Sequence, residues 1–131
     1  MKEKYILLRV DGSFDIIDID HDVLFDSAKS FIDCNHIETV SLVLLGNIYL
    51  LVDELGKCYD EPKPMNLLAS MLYPGTAHGD VIVGDVVVCK SGWYNGEPDV
   101  IGLNEHDIKR LTELFGSMRS MAYRDGAFDD N

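Results

Sequence analysis

The sequence predicts an α+β fold: a curled, largely antiparallel sheet of about five strands with three helices packed against it. Three observations carry this. Two pairs of β-rich runs are joined by residues that accept positive φ, Asp11-Gly12 and Gly46-Asn47. Three other stretches show helical spacing or helix caps. A valine-rich run, DVIVGDVVVC at 80–89, supplies a further strand. With 131 residues, 47% of them hydrophobic and 26% charged, the chain has the length and composition for one self-sufficient core. Residues 1–123 are expected to form a single domain and 124–131 a polar, frayed tail.

The elements follow in order. KYILLRV and SFDIIDID flank Asp11-Gly12 and predict a β-hairpin with a two-residue turn. In its second strand Phe14 and Ile16 share a face with Asp18 and Asp20, while Ile17 and Ile19 take the other. The apolar face therefore switches between 16 and 17, which predicts a bulge or a strand end there. Asp20 or Asp22 caps a helix running to about Asp33, with Leu24, Ala28, Phe31 and Ile32 on one stripe and Asn35 as the stop. VSLVLL and IYLLVDE, around Gly46-Asn47, predict a second hairpin, and their apolar residues at both parities place it at the sheet's centre. Prolines bracket a short helix from about Met65 to Tyr73. Gly84 interrupts the valine-rich strand and predicts a bulge or sharp bend. Lys90 to Gly102, with three glycines and a proline around Trp93-Tyr94, is expected to be an irregular ordered loop. Asn104 as N-cap, Asp107 three residues on, and a Leu103–Ile108 staple open the last helix. Ile108, Leu111, Leu114 and Phe115 form its buried stripe.

The formal net charge of -12 is unevenly spread. Between Asp11 and Glu38 stand eight acids and one base, Lys29. Such a field repels phosphate backbones, which argues against direct nucleic-acid binding, and it attracts a basic protein surface. No apolar run approaches the roughly 20 residues that span a bilayer, and MKEKYILLRV lacks the pattern of a signal peptide, so the expected location is the cytoplasm, away from membranes. Cys34, Cys58 and Cys89 are odd in number and widely spaced, which argues for reduced thiols rather than disulfides or a zinc site.

VDELGK (52–57), Asn66 and Ala69 on the following short helix, DVIVGD (80–85) and LNEHDI (103–108) stand in an order that resembles domain-of-unknown-function family 3846. These are small proteins of bacteria, phages and mobile elements. DVLFDSAKSFIDCNHIETVSL also resembles that family's first helix and strand, so the likeness runs over about residues 20–112. Two features depart from the pattern. The family's Pro-x-Asn-Arg is here Pro64-Met65-Asn66-Leu67, and the Asp11-Gly12 hairpin with its acidic strand has no counterpart. The resemblance implies a setting in phage or mobile-element biology and no particular chemistry.

Candidate site residues fall into three groups. Asp18, Asp20 and Asp22, with His21, offer ligand types suited to a divalent metal, but strand alternation turns His21 away, so a solvated acidic strand end is favoured and no metal or cofactor is expected. Trp93 and Tyr94 form an aromatic pair of the kind enriched at binding hot spots. His78 and Asp80, with Asp85, offer a general-base pair, but only Thr76 stands by as a weak nucleophile and the glycine-rich connection into a strand is favoured. Met118, Met121 and Tyr123 extend the last helix's apolar side, as core or as a surface for a homo-oligomer. The expected function is a non-enzymatic acidic interaction protein that binds a partner, a basic one in particular, through the acidic face or the aromatic loop. The alternatives are a nucleic-acid mimic occupying the basic groove of a defence or DNA-processing protein, and a small-molecule binder or hydrolase around His78 and Asp80.

Overall fold

A computed structural model of the chain describes residues 2–127; the last four residues of the expected tail lie outside the described residues. The strands are β1 (Lys2–Leu8), β2 (Phe14–Asp20), β3 (Ile37–Ser41), β4 (Ile48–Asp53), β5 (Val86–Tyr94) and β6 (Glu97–Ile101). The α-helices are α1 (Leu24–Ile32), α2 (Leu67–Leu72) and α3 (Glu105–Arg124). All strand pairs are antiparallel, in the order β2-β1-β5-β4-β3, with β6 added beside the far half of β5. The sheet is open, with β2 and β3 at its edges. Among the described residues no helix is long and apolar enough to cross a membrane.

The predicted α+β class and its three helices stand; the strand count is six. The sixth strand comes from the stretch expected to be an irregular loop. Asn95 (φ 51°) and Gly96 (φ 81°) form the two-residue turn of a regular β5–β6 hairpin, in which Pro98 pairs with Trp93. β1 and β6 share one flank of β5. β1 pairs with its residues 86–88, β6 with 90–94, and Lys4 bridges to Leu103 where the two meet.

Helices cover both faces of the sheet. On one, Ile6, Leu8, Leu50, Val86 and Val88 pack with Leu68 of α2 and Leu111 and Phe115 of α3. On the other, Tyr5, Leu7, Ile19, Leu51, Val87 and Cys89 pack with Leu24, Ala28 and Ile32 of α1. This two-sided burial explains the apolar switch in β2 without the expected bulge. The β1–β2 register runs unbroken from Lys2↔Asp20 to Leu8↔Phe14. Phe14 meets Phe115 with ring centroids 6.0 Å apart, while Ile17 and Ile19 serve the α1 side. Burial of Cys89 also pushes its thiol pKa far up, as expected for an inert core cysteine.

Four further details differ from expectation. The first hairpin closes through a five-residue loop, Arg9 to Ser13, in which Gly12 alone has positive φ. α1 ends where Asp33 turns left-handed (φ 53°), two residues before Asn35, and Phe31 points outward. Val43–Leu45 is a 3₁₀ turn rather than strand, leaving Val43 and Leu44 exposed. α2 is shorter than predicted, opened by Asn66 as N-cap. The α3 cap matches expectation closely: Asn104 and Asp107 form a reciprocal capping box.

Gly84 has φ 77° and sits in a bend just before β5, not in a bulge within it. A Cβ there would lie 2.8 Å from Lys63 Cδ, so both conformation and space call for glycine.

Candidate functional site

β2 ends by delivering an acidic segment to one corner of the sheet. Asp18 pairs with Lys4 at 2.9 Å, both side chains more than half exposed, so the pair adds little to stability. Asp20 accepts the Asp22 N–H at 3.0 Å and so caps the 3₁₀ turn His21–Val23. That turn re-aims His21, which strand alternation alone would have sent away from its neighbours. Its Nε2 lies 3.0 Å from Asp99 Oδ2 on β6, and its ring stacks on Tyr94 of β5 with centroids 3.7 Å apart. Two groups that the sequence offered separately, the acidic strand end and the aromatic pair, thus meet at one place.

The aromatic pair itself is divided. Successive side chains along β5 point to opposite faces, so Trp93 stands across from Tyr94. Tyr94 is partly covered by its stack on His21, whereas Trp93 is 71% exposed beside Pro98. The Asp22 carboxylate raises the Tyr94 phenol pKa, with smaller contributions from burial, Asp20, Glu3 and Asp99. Four carboxylates therefore act on one phenol. An open cleft of about 240 Å³ adjoins, lined by His21, Asp22, Val23, Phe25, Asp26 and Asp99. His21 Nδ1 is buried there with no hydrogen-bond partner among the described residues. The His21–Asp99–Tyr94 contact has no sequence signal, because it joins residues far apart in the chain.

The other candidate group is dispersed. Asp80 is held by Lys57 and by the Tyr73 hydroxyl at 3.1 Å, which set its pKa below the ordinary carboxylate value. Asp85 accepts the Val10 N–H at 3.0 Å, and His78 is exposed at the end of a 3₁₀ turn, Pro74–His78. Asp80 lines a cavity of about 220 Å³ with Lys57, Tyr73, Glu38 and Cys58. Among the described residues no three His, Cys, Asp or Glu side chains converge as a metal cluster. On α3, Met118 packs into the core while Met121 and Tyr123 face outward.

A buried polar hub was not anticipated. The Asp53 side chain is fully buried and takes Lys63 Nζ at 2.9 Å, the Tyr59 hydroxyl at 2.9 Å and the Leu55 N–H at 3.0 Å. Burial alone would raise its pKa; Lys63 and Tyr59 outweigh that and hold it below the ordinary value. Lys63 Nζ also donates to the Ile32 and Asp33 carbonyls at 2.7 and 2.8 Å, closing the C-terminal end of α1. Beside it, Asn66 is fully buried. Its Nδ2 donates to the Leu8 and Gly84 carbonyls, and its Oδ1 accepts the Ala69 N–H.

The architecture is that of a small α+β domain whose buried Asp53 and Asn66 hold loops and helix ends in place. The chain belongs to the family described as Domain of unknown function (DUF3846), whose profile matches residues 1–116. That match takes in β1 and all of β2, so the Asp11-Gly12 hairpin and its acidic strand are not additions to the family as expected but lie within it. Comparison with curated proteins and with solved structures gives no match.

Proposed function

We propose that this chain is a non-enzymatic interaction protein that binds a basic protein partner at the acidic corner, with Trp93 as the anchor. The proposed setting is the cytoplasm, as an accessory to phage or mobile-element biology. One observation carries the reading: the His21–Tyr94 stack and the His21–Asp99 pair fix an exposed tryptophan's hairpin to the end of an acidic strand. An exposed aromatic side chain on a hairpin whose neighbouring residue, Tyr94, faces the carboxylates offers apolar contact area beside an acidic field, suited to a lysine- or arginine-rich surface. The acids set association rate and salt dependence, and the tryptophan sets residence time.

The test is affinity capture from the native host at graded salt, followed by mass spectrometry, with three baits. Wild type is expected to retain a basic protein that elutes as salt rises. Trp93→Ala is expected to lose it, and Asp18→Asn/Asp20→Asn/Asp22→Asn to capture it more slowly and with flatter salt dependence. A partner retained equally by all three baits overturns the proposal.

A further inference from the structure

In a chain with 23 acidic and 11 basic side chains, every cation has carboxylates to choose from. Among the described residues seven of the 11 take one: Lys4, Arg9, Lys29, Lys57, Lys63, Lys90 and Arg110. Two of the remaining four, Arg119 and Arg124, line one groove of about 840 Å³ between α3 and the first hairpin, with Ser13, Phe14, Ser120 and Tyr123. Gly116 widens its floor, since a Cβ there would meet nothing within 4 Å.

Arg119 is held in place by uncharged contacts. Its Nε donates to the Asp11 carbonyl at 3.3 Å, Nη2 donates to the Tyr123 hydroxyl at 3.0 Å, and the guanidinium lies 4.7 Å from the centroid of the Tyr123 ring. The nearby Asp11 carboxylate turns instead to Ser13, accepting from its N–H at 2.9 Å and its Oγ–H at 2.6 Å. Those two bonds are the main reason its pKa is lowered, with Arg119 and Arg9 contributing through space. Arg9 is itself paired with Asp15. The dipole of α3 favours a cation at its last turn, which accounts for the position of Arg124. It does not account for a second guanidinium immobilised one turn earlier with unused N–H donors.

We propose that this groove is an oxyanion site that takes a phosphate group, free or as a monoester. The remaining N–H donors of two guanidinium groups and the Ser120 hydroxyl match several oxygens of one dianion, and arginine's planar fork suits that geometry. The site lies on α3 and the first hairpin, apart from the acidic corner, and does not depend on the function proposed there.

The experiment follows the arginine side-chain N–H resonances of the full chain by NMR, at constant ionic strength, as sodium phosphate replaces sodium chloride. Saturable shifts at Arg119 and Arg124 are expected with phosphate and not with chloride. Arg124→Gln, which removes no side-chain hydrogen bond or ion pair among the described residues, is expected to melt like wild type and bind phosphate about tenfold more weakly, the loss expected for charge-assisted hydrogen bonds. Arg119→Gln/Arg124→Gln is expected to abolish saturation. Repeating the titration with phenyl phosphate distinguishes the sources: tighter binding than inorganic phosphate marks an ester on an aromatic carrier, equal binding marks the free anion. Absence of saturation, equal shifts in chloride, or undiminished binding by Arg124→Gln overturns the site.

Discussion

The polar hub beneath the 53–63 turn and the acidic corner at the end of β2 use the same kinds of side chain to opposite ends. In the hub Asp53, Lys63 and Asn66 are enclosed or nearly so, and each meets several fixed partners. At the corner Asp18 and Asp22 stand in solvent and Trp93 is 71% exposed. Of the segments that resemble the family, VDELGK, Asn66 and DVIVGD lie at the hub and its cavity, while LNEHDI opens α3. The family match takes in both regions, since residues 1–116 include hub and corner alike; what separates them is that the hub's polar side chains hold loops in place, while the corner's are left exposed.

Substitutions separate the two regions by how much stability each holds. The largest loss is expected for Asn66→Ala, which removes the α2 cap and strands the buried Leu8 and Gly84 carbonyls. About 3 kcal/mol or more should go, seen as a melting point lower by on the order of 10 °C. Lys63→Met should cost about 2–3 kcal/mol, because it leaves the Asp53 carboxylate buried without its ammonium and opens the end of α1.

The same pair gives a pH signature. Asp53's folded pKa lies below its unfolded value, so its contribution is fully present above the ordinary carboxylate pKa near 4 and is lost as pH falls through the lower folded value. Denaturant melts between about pH 5 and 2 should show wild type losing stability, and Lys63→Met a flatter profile. Identical acid profiles would detach the hub from this account.

Gly84→Val should cost about 1–3 kcal/mol, from positive φ and the contact with Lys63. A neutral melt would place the bend outside the hub's influence. The smallest stability change is expected at the corner: Trp93→Ala and the triple Asp→Asn variant should melt within about 0.5 kcal/mol of wild type. A larger loss would mean that the corner, too, is structural.

The parts legible in the sequence are those fixed by neighbours along the chain. The Asn104–Asp107 capping box, the α1 stripe through Leu24, Ala28 and Ile32, and the positive φ of Gly84 all follow from local rules. The β5–β6 hairpin was legible too, in Asn95-Gly96, but Pro98 and Gly92 obscured it; proline is tolerated because β6 is paired on one side only, with β5. The Asp53–Lys63 pair and the His21–Tyr94 stack were not legible, since each depends on distant segments being brought together. The aromatic pair was half legible: its place beside a glycine-rich turn was, but the alternation that frees Trp93 and employs Tyr94 follows only from the β5–β6 pairing.

The placement of β5 carries a consequence for how the chain acquires its structure. β5 is the partner of β1, β4 and β6, and its pairing of Ile6 with Val88 joins the first strand to one 82 residues further along the chain. During synthesis the β1–β2 hairpin emerges early and cannot complete its sheet until Val86–Tyr94 has left the ribosome. An isolated two-stranded hairpin is only marginally stable, so the amino-terminal half waits as a partly ordered, acidic segment. Non-local pairing of this kind slows folding, and a net charge of -12 opposes association between chains that have not completed it.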